Sequence, residues 1–206
     1  FKKISSLFVP STPNVILLNS DKPEPDLRVI GLFSTVTEEK IAEIMTGLIY
    51  LDELNKAETP KEDSEKTEKK DIDFYVSTYG GSADDMFGLF DLMKEIEKTT
   101  DISTIGMGKV MSAGVLILAA GTKGKRKIGK NCRVMIHSVA AGNQGELAHM
   151  VNELEEIKNM QEMYIRCLVQ ETNITEPELR DMLNRGVNVY LTAEQAVKYG
   201  IADEIV

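Results

Sequence analysis

Short apolar runs of strand length alternate with segments of helical periodicity along most of the chain. Ile72, Phe74 and Val76 alternate with polar residues, which predicts a half-buried strand. In residues 146–170 apolar side chains recur every three or four positions, which predicts a long amphipathic helix. Further strands are predicted at 29–33, 102–105, 134–136 and from 201, and helix caps at Thr37, Ser82, Thr175 and Thr192. This alternation predicts an α/β fold.

Two segments depart from that pattern. Residues 1–27 contain four prolines and one apolar run, which predicts a loop-rich N-terminal segment. The segment at about 53–71 is rich in Lys, Glu, Asp and Thr and buries too little to order itself, which predicts a mobile surface loop. Because 206 residues fit one domain, we expect 28–206 to form a single domain that carries this loop as an insertion.

Composition excludes several classes of function. With 24 Lys and Arg against 33 Asp and Glu, the net charge of −9 argues against nucleic acid or an anionic membrane as a partner. The longest apolar stretch, residues 110–120, is too short to span a bilayer. Two cysteines and two histidines form no zinc-binding pattern, so we expect no metal. Free thiols fit a reducing compartment, either the cytoplasm or an equivalent organelle lumen.

Two residues are candidate catalytic groups. Ser112 follows a glycine-rich turn and precedes an apolar helix, whose first amides can stabilise an oxyanion. His137 ends a predicted strand and precedes a polar loop, whereas His149 on the long helix fits a solvent-facing role. Taken alone, a Ser in such a place is more often a helix cap, and a lone His is more often structural. The Gly80-Gly81 pair allows a backbone amide to approach a ligand closely.

A series of glycine-rich and apolar motifs connects these candidates. The motifs are Gly80-Gly81, Gly108-x-x-x-Ser112-x-Gly114, Gly121-x-x-Gly124-Lys125-Arg126, Asn131-x-Arg133-Val134-Met135-Ile136-His137, Gln144-Gly145, Leu191-Thr192-Ala193-Glu194-Gln195-Ala196 and Tyr199-Gly200. Over about residues 28–206 this set resembles the ClpP serine peptidases, the proteolytic subunits of ATP-dependent Clp proteases. The first 27 residues and the charged segment do not contribute to the resemblance.

The resemblance implies a fold and an assembly. The fold would be of the ClpP/crotonase type, with repeated β-β-α units and a protruding handle helix in the region 138–172. Two heptameric rings would stack face to face around a closed chamber. An AAA+ Clp unfoldase would deliver unfolded polypeptide to it. Whether the rings are homomeric or mixed with a paralogue stays open.

The resemblance also implies a site. Ser112 would be the nucleophile, His137 the general base, and the amides of Gly81 and Ala113 the oxyanion hole, with no metal or cofactor. Asn188 occupies the position where the family has its acidic triad member. An amide oxygen can still accept from the imidazole N–H, but it supplies no negative charge to the imidazolium. In a trypsin-like protease the corresponding Asp-to-Asn change costs about 10⁴-fold in kcat.

Three alternatives follow from these residues. A weakly active or non-catalytic ring subunit is motivated by Asn188, while the retained Ser112 and His137 argue against it. A crotonase-like acyl-CoA enzyme would rest on shared fold alone. A Ser-Lys peptidase of the signal peptide peptidase A type would need Lys109, which has no supporting context.

A further departure from the family is Tyr79, where a proline is usual.

Overall fold

The computed structural model describes residues 27–58, 70–142 and 144–206, which form a seven-stranded sheet with helices packed on it. The strands are β1 (Val29–Leu32), β2 (Ile72–Thr78), β3 (Ile102–Met111), β4 (Lys127–Ile128), β5 (Arg133–Ile136), β6 (Val189–Leu191) and β7 (Glu204–Ile205). The helices are α1 (Glu38–Glu58), α2 (Ala83–Ile96), α3 (Ala113–Ala119), α4 (Leu147–Glu171), α5 (Glu176–Asn184) and α6 (Ala193–Lys198). The predicted α/β class is confirmed.

The long strand β3 organises the sheet. The strand order is β1-β2-β3-β4-β7, and β5 branches from β3 with β6 on its other side. Ile105 and Gly106 pair with β4, whereas the end of β3, from Lys109 to Met111, pairs with β5. All of these pairs are parallel except β5 with β6. The carboxyl ends of β2, β3 and β5 therefore meet at one edge, where α/β proteins commonly bind ligands.

The predicted helix caps are present. The hydroxyls of Thr37 and Ser82 accept hydrogen bonds from the amides of Lys40 (3.4 Å) and Asp85 (3.3 Å), at the start of α1 and α2. Capping boxes begin α5 and α6 at the predicted positions 175 and 192. These side chains satisfy amides that a helix leaves without intrahelical acceptors, so they fix where each helix begins.

Helix α3 lies in the middle of the core. Every residue from Ala113 to Ala119 is buried, and the helix packs against β3, α2 and α4. A helix that is apolar all round is stable only when its neighbours cover it completely. The turn from β3 into α3 is therefore held on a rigid support.

Helix α4 is buried over only part of its length. Near its C-terminus Tyr164, Ile165 and Leu168 are buried, and the carbonyl oxygen of Glu171 accepts a hydrogen bond from Arg126 at 2.7 Å. In the N-terminal half the predicted apolar side is exposed, with Leu147 at 79% and others at 42–51%. The first half of α4 thus has an apolar stripe that this chain leaves uncovered.

Two predicted boundaries differ from the structure. Helix α1 continues to Glu58, so the first part of the predicted charged loop is helical, while residues 59–69 lie outside the described part. A buried polar network explains the extension: Asn55 accepts from Arg28 at 2.6 Å, and Asp52 accepts from Thr100 at 2.6 Å. Strand β3 also extends from its predicted end at residue 105 to Met111, because both of its halves have pairing partners.

The predicted N-terminal segment, residues 1–27, falls outside the described residues except for Leu27. Among the helices that the structure describes, none combines the length and apolar character needed to cross a bilayer.

Candidate active site

Ser112 alone makes the turn between β3 and α3. Its φ is 55° and its ψ is −122°, and it is the one non-glycine residue with positive φ in the described ranges. Such a conformation costs free energy, and strain of this kind clusters at functional sites. The Ser112 N–H donates to the carbonyl oxygen of Met135 at 2.8 Å. The hydroxyl makes no cap hydrogen bond to α3, so Ser112 does not serve as a helix cap through its side chain.

The Ser112 hydroxyl lies beside His137. The distance between Ser112 Oγ and His137 Nε2 is 2.8 Å. Parallel pairing of Met111 with Met135 explains this closeness, because Ser112 and His137 then follow neighbouring strands at the same sheet edge. His137 is half-buried. A serine within hydrogen-bond reach of an imidazole is the arrangement that nucleophilic catalysis requires.

The Gly80-Gly81 pair brings the end of β2 against this turn. A Cβ added to Gly80 would lie 2.6 Å from the Cβ of Ser112, and one added to Gly81 would lie 2.1 Å from the oxygen of Val36. Gly81 has a φ of 152°. Val36 donates to the carbonyl oxygen of Gly80 and accepts from the N–H of Ser82, so the N–H of Gly81 takes no part in this parallel bridge. Ala113, as the first residue of α3, also has an amide without an intrahelical acceptor.

A cleft of about 500 Å³ opens onto Ser112 and His137. Its walls are mainly apolar and come from the start of α2, the loop after β5 and the middle of α4. They include Met86, Phe87, Val139, Ile157, Met160 and Tyr164. Such a cleft fits an extended segment of polypeptide with apolar side chains. Ser112 and His137 therefore lie together at the floor of a groove that can hold a peptide, and Gly81 and Ala113 line the same groove.

Residues 25–206 match the family model described as Clp protease. The chain belongs to the Clp protease family. This membership confirms the family resemblance stated from the motifs and the expected class of enzyme, a serine-type peptidase.

Curated relatives agree with this assignment. The chain is 31% identical over 179 residues to ATP-dependent Clp protease proteolytic subunit 2 of Corynebacterium jeikeium, covering 86% of this chain and 78% of that protein. It is 32% identical over 176 residues to ATP-dependent Clp protease proteolytic subunit 1 of Prochlorococcus marinus, covering 85% of this chain and 82% of that protein. Both matches cover more than four fifths of this chain.

Asn188 is the residue that the family resemblance predicts as the third member of the triad. Val189 pairs with Ile136 in the antiparallel β5–β6 ladder, so Asn188 comes next to His137 along the register. Its side chain is exposed, and its amide nitrogen donates to the hydroxyl of Tyr190 at 3.4 Å. Among the described residues, no hydrogen bond joins Asn188 to His137. The backbone thus brings the two residues together, while the amide is turned toward Tyr190.

Tyr79 lines the cleft and is 68% exposed. The ammonium of Lys109 lies 4.8 Å from the centroid of the Tyr79 ring, which is a cation–π contact. Lys109 therefore has a partner other than Ser112, whose hydroxyl is paired with His137. This arrangement argues against the Ser-Lys alternative.

Sequence reasoning did not single out Tyr164. This buried residue of α4 donates its hydroxyl hydrogen bond to the carbonyl oxygen of Ser112 at 3.2 Å. Tyr164 lies four residues after Met160, on the cleft side of α4, and that helical spacing was the available signal. His149 is exposed on the same helix, and among the described residues no hydrogen bond links it to the cleft.

Proposed function

We propose that this protein hydrolyses unfolded polypeptides into short peptides through an acyl-enzyme on Ser112. The single observation that carries this proposal is the 2.8 Å contact between Ser112 Oγ and His137 Nε2 at the floor of the cleft. His137 takes the hydroxyl proton while Ser112 Oγ attacks the scissile carbonyl carbon. It then gives that proton to the leaving amine, and a water molecule deprotonated by His137 releases the acyl group.

The amides of Gly81 and Ala113 form the oxyanion hole in this proposal. Hydrogen-bond donors stabilise the tetrahedral intermediate only if they are aimed at the oxyanion before the reaction begins. The glycine conformation at Gly81 and the start of buried helix α3 at Ala113 both support such preorganisation. No step of this chemistry requires a metal ion or a cofactor.

Asn188 orients the imidazole of His137 when its amide oxygen turns toward the ring N–H. The register of β5 and β6 supports this role, because it places the two residues side by side. The contact between Asn188 and Tyr190 is long and exposed, so leaving it costs little. Since the amide carries no charge, we expect a slower enzyme than one with a carboxylate at position 188.

The exposed stripe of α4 supports a handle that joins two heptameric rings. Leu147, Val151 and Leu154 lie along one side of the helix and are exposed in the single chain, which suits burial against another copy. An AAA+ Clp ATPase would feed substrate into the enclosed chamber, in the cytoplasm or an equivalent reducing compartment. Rings of this chain alone and rings mixed with a paralogue both fit the same stripe.

A fluorogenic peptide assay on the assembled protein tests the proposal. We expect Ser112→Ala to abolish turnover and the matched variant Ser138→Ala to keep it, because Ser138 lines the same cleft but the imidazole of His137 pairs with the hydroxyl of Ser112. Native mass spectrometry verifies that both variants assemble like the parent. Equal turnover by Ser112→Ala and the parent would reject the proposal.

The Asn188→Asp variant separates a working enzyme from a structural subunit. If the parent protein is active and Asn188→Asp raises its kcat by about tenfold or less, the amide at position 188 supports catalysis. An inactive parent that gains activity only with Asp would favour a non-catalytic ring subunit, because the added carboxylate supplies the charge that stabilises the imidazolium.

A further inference from the structure

Tyr164 connects the handle helix to the nucleophile. Its side chain is 5% exposed, and its hydroxyl donates to the carbonyl oxygen of Ser112 at 3.2 Å. Burial raises the pKa of Tyr164 well above its ordinary value, so the hydroxyl keeps its proton and stays a donor at any physiological pH. None of the catalytic steps described above uses this group.

The peptide that joins Ser112 to Ala113 has two polar ends with fixed relative directions. A trans peptide is planar, and its C=O and N–H point in opposite directions. The oxygen of this peptide belongs to Ser112, and its N–H is the Ala113 amide of the proposed oxyanion hole. A donor that holds the oxygen on one side therefore aims the N–H toward the other side.

Two donors hold that oxygen. The amide of Val115 donates to the Ser112 oxygen at 3.0 Å from within α3, and Tyr164 donates from α4. Ser112 has a positive φ, so this peptide lies in a conformation that a serine adopts only when surrounding contacts enforce it. A hydrogen bond to a carbonyl oxygen also polarises the peptide, which makes its N–H a stronger donor.

We infer that Tyr164 is a positioning residue that aims the Ala113 N–H at the oxyanion. This inference rests on the proposed acyl-enzyme mechanism at Ser112. The charge on the oxyanion develops only in the transition state, so Tyr164 acts on kcat and on tetrahedral adducts and leaves substrate binding unchanged.

The test compares Tyr164→Phe with Tyr199→Phe in the assembled protein. Both variants lose one phenolic hydroxyl and keep the ring, but Tyr199 packs at the end of α6, outside the cleft. The measurements are kcat and KM for a fluorogenic peptide, and the inhibition constant of a peptide aldehyde, which forms a tetrahedral adduct with Ser112. Titration with a fluorophosphonate counts the reactive Ser112 sites in each preparation, so that kcat is calculated per correctly folded site.

For Tyr164→Phe we expect kcat to fall by about 3- to 10-fold, the effect of losing one hydrogen bond. The aldehyde should bind more weakly by a similar factor, KM should stay constant, and Tyr199→Phe should match the parent. An unchanged kcat, or a lower kcat with unchanged aldehyde affinity, would overturn the inference. Ser112→Ala reports separately on the mechanism: if that variant is inactive while Tyr164→Phe equals the parent, only the role of Tyr164 fails.

Discussion

Ser112 keeps its strained backbone because contacts from three directions enforce it. Its amide bonds to Met135 in β5, its carbonyl oxygen bonds to Tyr164 in α4, and its side chain bonds to His137. Gly80 packs directly against the Cβ of Ser112, so a residue larger than glycine at position 80 would collide with that Cβ. The reactive hydroxyl is thereby presented to the cleft with little freedom to reorient.

At Gly81 the absence of a side chain is a requirement of the site. We expect Gly81→Ala to lower kcat by about 100-fold or more, because a new Cβ would lie 2.1 Å from the oxygen of Val36 and would displace the proposed oxyanion donor. Gly88→Ala is the matched control, since a Cβ at that helical position meets nothing within 4 Å. Steady-state kinetics of the assembled variants measures the effect, and a Gly81→Ala enzyme as fast as Gly88→Ala would contradict this role.

Ser112 and His137 could be singled out from the sequence as candidate catalytic residues because both follow strands and lie within family motifs. The sequence could not predict the direction of the Asn188 side chain, since a choice between Tyr190 and His137 depends on rotamers. It also missed the contact between Tyr164 and Ser112. These residues are 52 positions apart on different elements, and no local pattern records such a contact.

Among the elements, α4 shows the clearest division of roles. Its C-terminal half is packed in the core and supports the active-site turn, while its N-terminal half exposes apolar side chains. Arg126 fixes the buried end: it donates to the carbonyl oxygen of Glu171 at 2.7 Å and forms a two-pronged ion pair with Asp203, at 2.6 and 2.9 Å. Arg126 thus anchors α4 to the C-terminal segment.

We expect the Arg126–Asp203 pair to make stability depend on pH. Partial burial raises the pKa of Asp203, but the hydrogen bonds and charge of Arg126 outweigh it and hold that pKa below its ordinary value. A carboxylate with a lowered folded-state pKa stabilises the fold above its unfolded pKa of about 3.9 and loses that contribution as pH falls through the lower folded value. Stability should therefore decrease as the pH falls below about 4.

Thermal unfolding of Asp203→Asn measures this contribution. At pH 7 we expect a loss of about 2 kcal/mol, the size of a hydrogen bond to a charged group, and a flatter dependence of Tm on pH in acid. Asp181→Asn is the control, because its pair with Arg185 is exposed on α5 and should contribute under about 0.5 kcal/mol. If both variants melt at the same temperature, the buried pair does not anchor α4.

The boundaries of the elements were harder to predict than their order. Alternating strands and helices followed from periodicity, and all four predicted caps are present. Strand β3 was underestimated because its second half gains stability from pairing with β5, a non-local contact that no window of sequence contains. The helical continuation of α1 depends in the same way on the bond from Arg28 to Asn55, 27 residues away.

At the scale of the whole molecule, the uncovered stripe on α4 is the feature that a single chain does not explain. If this stripe joins the proposed rings, the double variant Val151→Asp/Leu154→Asp should reduce the fraction of stacked double rings about tenfold or more, because burying two carboxylates in an apolar interface is costly. Native mass spectrometry counts the assemblies. Glu156→Gln, on the opposite side of the same helix, is the control, and intact double rings in the aspartate variant would exclude this stripe from the ring contact.

The central claim is that Ser112 is the nucleophile of a working peptidase, and covalent labelling tests it most directly. The assembled protein is treated with a fluorophosphonate, and the modified residue is located by peptide mass mapping. We expect one label per chain, on Ser112, and none in Ser112→Ala or after competition with a peptide aldehyde. A verified oligomer that takes up no label, or a label that persists in Ser112→Ala, would contradict it.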